Sequence, residues 1–192
     1  SEGFRLCMDS DPNVIAVTQD SYKLIGFTDE DKEKYGKTKQ FFDVGVAEQN
    51  MSVVSAGLAK EGFTPITNGY ATFTLGRAYD HMRVSVAHAR YNVKYFPTEG
   101  LLGGDGPFHE CLESIALGYY MPHMQVQWPC DSIEANKATL TAIRDIKGPV
   151  ITLQERAPKP VVTKEDTPYH YGLANIVRYT GRQPKFVDAF ET

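Results

Sequence analysis

Glu48 stands within "FFDVGVAEQNMSVVSAGLAKEG", residues 41–62, between a run that reads as a buried strand and an alanine- and valine-rich run that reads as a buried helix. An isolated buried carboxylate is costly unless it is paired or protonated. A carboxyl kept with a raised pKa is what proton-transfer chemistry uses. The plainer reading is electrostatic: a carboxylate in the first turn of a helix is favoured by the helix dipole by roughly 0.3–1 kcal/mol. His109, in "GGDGPFHE", would open another helix. A helix N-terminus disfavours the imidazolium and suits a neutral donor and acceptor, although a lone histidine also serves structure alone. Phe73, after Tyr70 in "YATF", is core on the simplest reading. Asp20 in "TQDS", Glu99 and Asp105 in "TEGLLGGDGPFHE" and Arg156 in "LQERAP" are further polar groups that follow strand-like runs.

The elements that would position these groups alternate along the chain. Strand-like runs occur at 13–18, 41–45, 63–68, 92–96, 124–128 and 149–154. Helical patterns occupy 47–61, 77–91, 108–120 and 132–147. In the third, Leu112, Ile115, Ala116 and Tyr119 repeat at i, i+3, i+4 and i+7, a stripe that should face a core. The fourth starts behind Asp131 as N-cap and stops at Gly148 and Pro149. Such alternation predicts an α/β, doubly wound domain with a mostly parallel six-stranded sheet and helices on both faces. Ligands of open parallel sheets bind beyond the carboxyl ends of the strands. Four successive strand ends present a polar or aromatic group to that one edge. Residues 28–40 read as a charged surface loop or short helix. The domain is expected to span 1–156. Residues 157–192, with Pro158, Pro160, Pro168 and Pro184, read as an extended tail or linker toward an absent C-terminal domain.

Composition narrows the function classes. A length of 192 residues suffices for one domain with a sizeable core. A formal net charge of -4 gives no general attraction to nucleic acid or acidic lipid. Cys7, Cys111 and Cys130 are odd in number and lack metal-type spacing, which reads as reduced thiols in a cytoplasmic protein. Cys111 has no evident base beside it. No apolar run reaches the roughly 20 residues of a membrane span, and no signal peptide is visible. His81, His88, His123 and His170 share no ligand spacing, so no protein-only metal site is expected. The glycine-rich stretch around Gly104 and Gly106 lacks the GK[ST] and GxGxxG patterns of phosphate loops, and its plain reading is a tight turn. Starting without Met inside a helix-like run, the sequence is expected to be a piece of a longer polypeptide or a processed product.

Four ordered stretches carry a resemblance: "DVGVAEQNM", "YATFTLGRAYDHMR", "GGDGPFHE" and "MPHMQVQWPCDSIEANKA". Together they resemble the transketolase family, specifically its middle, pyrimidine-binding domain, closely across 41–156 and less so at 9–22. The short spacings look like a small or split bacterial or archaeal type. The resemblance implies a thiamine diphosphate-binding fold and transfer of a two-carbon ketol unit between sugars. It implies that Glu48 hydrogen-bonds N1′ of the cofactor's aminopyrimidine, favouring the tautomer that takes the proton from the thiazolium C2. It places Phe73, beside Tyr70, as the ring stacked on the aminopyrimidine. His109 lies near the donor hydroxyls and the cofactor amino group, Asp105 reads a sugar hydroxyl, and Asp20 ties active-site loops together. Arg156 matches a phosphate-binding arginine when one gap is allowed. Glu99 departs from the pattern, standing where the family commonly has a histidine on the substrate-phosphate side. A carboxylate there would repel a phosphate dianion. The Gly104-Asp105-Gly106 triplet is not the family's metal motif, since the required Asn-Asn is represented only by Asn136. Mg²⁺ and the diphosphate are therefore expected on a separate diphosphate-binding domain or subunit, with a homodimer as the assembly. The rival readings are a 1-deoxyxylulose-5-phosphate synthase, a 2-oxo acid dehydrogenase β subunit, and a non-catalytic assembly module.

Overall fold

The computed structural model describes residues 2–99 and 104–174. Its sheet comprises β1 (Val14–Thr18), β2 (Phe41–Asp43), β3 (Thr64–Tyr70), β4 (Lys94–Glu99), β5 (Gln125–Gln127), β6 (Val150–Thr152) and β7 (Gln154–Glu155). Every pairing is parallel, in the order β2–β1–β3–β4–β6–β5. The six expected strand positions are all present. The seventh segment arises because β6 and β7 follow one line along β4, pairing Lys94 with Val150 and Thr98 with Gln154. Between them Leu153 donates its N–H to the Gln127 carbonyl (2.9 Å) and so interrupts that line.

Both faces are covered, as alternation of buried side chains along the strands requires. On one face Val14, Ala16, Phe96 and Val150 meet α1 (Glu2–Ser10) through Phe4, Cys7 and Met8. The same cluster includes Tyr35 of α2 (Asp29–Lys37) and Ala142 and Ile143 of α6 (Ser132–Arg144). On the other, Ile15 and Val17 pack on Met51 of α3 (Glu48–Lys60). Tyr95 and Ile151 on that side join Leu75, Met82 and Val86.

The stretch 28–40 takes the short-helix form of its two expected ones: Thr28 accepts from the Asp31 N–H while the Asp31 carboxylate accepts from the Thr28 N–H, a capping box that starts α2. Other elements differ from their expected form. The helix expected at 77–91 begins earlier. It winds through a π-turn at Thr72–Arg77, a short α4 (Tyr79–His81) and a second π-turn at Met82–Ala87. The helix expected at 108–120 is broken. Gly106 takes φ 85°, Pro107–His109 form one 3₁₀ turn, and Glu110 is extended. A helix restarts only as α5 (Ser114–Tyr119). Its apolar stripe is a correction too, since Leu112, Ile115 and Tyr119 are exposed. Part of the stretch read as tail lies against the domain. Asp131 caps α6 through the Glu134 N–H (2.9 Å) and also accepts from the N–H groups of Val162 (2.8 Å) and Thr163 (2.6 Å). Burial disfavours the Asp131 charge, but these hydrogen bonds outweigh that and hold its pKa well below the usual carboxylate range. The Tyr169 hydroxyl donates to Gln127. Residues 175–192 lie outside the described residues.

Lys94 is fully buried at the start of β4 and donates to the carbonyls of Ile146 (2.7 Å) and Gly148 (2.8 Å), beyond the end of α6. Burial, reinforced by Lys147, pushes its pKa down to about 7. An unfolded lysine titrates near ~10.4. Between these values the unfolded chain holds a proton that the folded chain has released, so stability rises with pH through that window. Urea unfolding at pH 7 and pH 9 should therefore show the parent gaining about 2 kcal/mol relative to Lys94→Met. Parallel curves for the two proteins would contradict this.

Candidate active site

All strands being parallel, their carboxyl ends share one edge, and that edge gathers most of the residues singled out above. Glu48 opens α3 four residues beyond Val44, where the chain leaves β2 through Gly45 at φ 72°. Its carboxylate is 2% exposed and receives Nη1 of Arg77 at 3.0 Å on each oxygen. Burial is thus compensated by pairing. Arg77 closes the π-turn that follows β3, and such turns frequently mark functional sites. The guanidinium also lies 4.6 Å from the Phe73 ring centroid, a cation–π contact with the residue four positions before it.

Phe73 leads to the rest of the cluster. His109 packs edge-on to it at 5.3 Å and to Tyr70 at 4.7 Å, and Tyr70 and Phe73 are 6.2 Å apart. The Nδ1 atom of His109 is buried without a hydrogen-bond partner among the described residues. Arg156 follows β7 and lies 5.6 Å from the Tyr70 ring centroid. It forms a forked pair with Asp105, the Nη2–Oδ1 arm measuring 3.1 Å. That guanidinium holds the Asp105 carboxyl below its usual range. A continuous line of contacts therefore runs Glu48–Arg77–Phe73–His109–Tyr70–Arg156–Asp105. Chemically it offers a buried carboxylate, aromatic rings, an imidazole with a free nitrogen and two cations. Among the described residues no group of three His, Cys, Asp or Glu side chains is placed to hold a metal.

A family model for the transketolase pyrimidine binding domain matches residues 1–159. The chain belongs to that family. An uncharacterized transketolase family protein of Sinorhizobium fredii is 32% identical over 172 residues, covering 88% of this chain and 49% of that protein. A 1-deoxy-D-xylulose-5-phosphate synthase of Chlorobaculum tepidum is 34% identical over 171 residues, covering 88% of this chain and 26% of the synthase. The chain thus spans less than half the length of these curated relatives. Among solved structures, a split gene transketolase described as an inactive beta4 tetramer superposes with TM-score 0.79 at 28% identity, covering 93% of this chain and 56% of the other. A Pichia stipitis transketolase shares the fold, with TM-score 0.69 at 22% identity over 81% of this chain and 24% of its own.

Within this transketolase-type domain, two of the residues singled out fall outside the contact line. Asp20 is exposed, with φ 61°, and acts through its backbone: its N–H donates to Asp43 Oδ1 (2.9 Å), linking the ends of β1 and β2. Glu99, which stands where the family commonly has a phosphate-side histidine, is 1% exposed, and its backbone pairs with Glu155. His109 also lies in a 3₁₀ turn, not at the start of a helix.

Sequence reasoning missed Arg77, whose signal was its place four residues after Phe73 in "FTLGR". It also missed Asn68, which donates to the Ser21 carbonyl (2.6 Å) and hydroxyl (3.1 Å). Gln19 was missed as well; it donates to the Thr74 hydroxyl (3.3 Å) across Gly69. A Cβ on Gly69 would sit 1.8 Å from that amide nitrogen, so only glycine admits the crossing. A cavity of about 770 Å³ opens between the Leu24–Gly26 turn, the start of α6 and Arg156–Lys159, meeting the contact line only at Arg156.

Arg77→Met leaves the Glu48 charge buried and alone. Breaking a buried pair costs about 3–5 kcal/mol; Arg77 is 46% exposed, so a loss of about 1–3 kcal/mol is expected after screening. Chemical denaturation should show that loss, and adding Glu48→Gln to Arg77→Met should recover part of it. A double variant less stable than the single would refute the pairing account.

Proposed function

We propose that this chain is the pyrimidine-side portion of a thiamine diphosphate-dependent enzyme that transfers a two-carbon ketol unit between sugars. The observation that carries the reading is Glu48, a carboxylate 2% exposed at the carboxyl edge of a parallel sheet, bound to the same arginine that lies on Phe73. The residues fit an aminopyrimidine. Arg77 meets both Glu48 oxygens through a single nitrogen, which leaves acceptor positions on the carboxylate for a further N–H. The unpartnered Nδ1 of His109 is a second vacant hydrogen-bonding atom beside the rings. Thiamine diphosphate, when bound, supplies the electron sink for cleaving a carbon–carbon bond beside a carbonyl.

The chain's own residues do the rest. Glu48 holds a proton at N1′ of the aminopyrimidine, and Arg77 fixes the carboxylate's position. Phe73 and Tyr70 exclude water from the ring. His109 and Asp105 meet sugar hydroxyls, and Arg156 meets a substrate phosphate in exchange for part of its pairing with Asp105. The Asp20 turn braces the neighbouring loop. Mg²⁺ and the diphosphate are carried by a separate diphosphate-binding domain or subunit.

Exposed side chains support assembly. Val53 on α3 and Phe108, Leu112, Tyr119 and Tyr120 lie open to solvent, and exposed apolar surface of this kind marks association sites. We assign it to a homodimer contact and to docking of the diphosphate-binding domain. The three free cysteines and the lack, among the described residues, of a helix able to cross a membrane accord with a cytoplasmic location. The Chlorobaculum tepidum relative favours a second reading, a 1-deoxy-D-xylulose-5-phosphate synthase.

The test is activity of the chain combined with a diphosphate-binding partner. Glu48→Gln should keep the unfolding midpoint within a few tenths of a molar urea of the parent and reduce ketol transfer by about 10²–10⁴-fold or more. Near-normal turnover in that variant would refute the assignment of Glu48. Formation of 1-deoxy-D-xylulose 5-phosphate in place of ketol transfer would select the second reading.

A further inference from the structure

The path from β2 to Glu48 is short and open. Gly45 and Val46 are exposed, Val46 at 73%, so packing does little to fix the loop that delivers the carboxylate. Its polar anchors converge on Asp43, the last residue of β2. One carboxylate oxygen, Oδ1, accepts two backbone N–H groups: that of Gly45 at 3.0 Å, in the same loop, and that of Asp20 at 2.9 Å, in the turn after β1. The other oxygen lies 3.7 Å from Lys32 Nζ, and the side chain is 20% exposed. Both donors sit in left-handed backbone, Asp20 at φ 61° and Gly45 at φ 72°. For a non-glycine residue that conformation is costly and persists where the surroundings dictate it. The Asp20 side chain itself is exposed, so the constraint acts on its amide.

We propose that Asp43 is a positioning residue, whose carboxylate ties the Gly45 loop to the Asp20 turn and so sets Glu48 at the distance from β3 at which Arg77 meets it. The bonds form a continuous brace. Val44 donates its N–H to the Thr18 carbonyl (2.9 Å), and Ser21 donates its N–H to the Thr18 hydroxyl (3.3 Å), so the turns after β1 and β2 are also joined through Thr18. Asn68 of β3 donates to the Ser21 carbonyl (2.6 Å), and Tyr70 follows it two positions later. The brace thus runs from the strand that leads to Tyr70, Phe73 and Arg77, through Ser21, the Asp20 amide and Asp43, to the loop that ends at Glu48. Bonds from N–H groups to an ionised oxygen are stronger than neutral ones, which suits a carboxylate to holding two turns at once. The Glu48–Arg77 pair is sensitive to such placement, because one arginine nitrogen meets both Glu48 oxygens at 3.0 Å.

The functional weight of the brace rests on the reading of Glu48 above, but the test uses this chain without cofactor, so its failure would leave the ketol-transfer reading standing. The readout is the coupling between Glu48 and Arg77 in a double-mutant cycle of Glu48→Gln and Arg77→Met, measured by urea unfolding of the full chain. Repeated in an Asp43→Ala background, the cycle should lose most of that coupling. Asp43→Asn keeps Oδ1 as an acceptor and should retain it. Asp20→Gly keeps the donating N–H and accepts φ 61° without strain, so it should retain the coupling too. A role in stability alone would lower every unfolding midpoint alike and leave the coupling as in the parent. Undiminished coupling in Asp43→Ala, loss of coupling in Asp43→Asn, or loss in Asp20→Gly would each overturn the proposal. If Asp43→Ala fails to fold, amide hydrogen exchange in the parent decides it: the N–H groups of Asp20 and Gly45 should be protected, and exchange of either at the rate of an unstructured chain would overturn it.

Discussion

The arrangement depends on one half-buried ion pair, a buried Glu48 carboxylate held by a partly exposed Arg77. A carboxylate at the first turn of α3 has the helix dipole in its favour, but that contributes only roughly 0.3–1 kcal/mol. Burial costs more than that unless a cation compensates. Arg77 supplies the cation, and its position explains the neighbouring geometry. To reach Glu48 it must leave the end of β3 through a π-turn, and that turn brings Phe73 under its guanidinium. His109 then packs on Phe73 and Tyr70, and Arg156 closes the line at Asp105. The parallel sheet makes the convergence possible, because every strand delivers its carboxyl end to the same edge.

The order of the elements was legible in the sequence because strand and helix patterns alternate and the turns between them are well marked. Sheet order and the split of β6 from β7 were not, since which strands pair, and which carbonyl Leu153 bonds between β6 and β7, are tertiary choices. Periodicity misled at 108–120. Leu112, Ile115 and Tyr119 have helical spacing, but Gly106 and Pro107 set a turn that delays the helix to Ser114 and leaves the stripe in solvent. Apolar spacing identifies a face without saying whether its partner lies in the same chain.

The site was legible in its residue types more than in its pairings. Glu48 stood out because a charge between two apolar runs demands an explanation, and the explanation, Arg77, lay 29 positions away. Asp105 and Arg156 were each read as ligand-facing, and the fold pairs them with one another across 51 positions. Glu99 was read from its charge and from its place where the family commonly has a histidine, and its burial at 1% exposure is reported by no local pattern.

The most direct test of the central claim is an experimental structure of this chain with a diphosphate-binding partner and thiamine diphosphate. The account predicts a Glu48 carboxylate oxygen within about 2.6–3.2 Å of the aminopyrimidine N1′, with Arg77 still paired to Glu48 and Phe73 against the ring. A cofactor bound with Glu48 beyond hydrogen-bond reach of N1′, still enclosed by Arg77 alone, would contradict it.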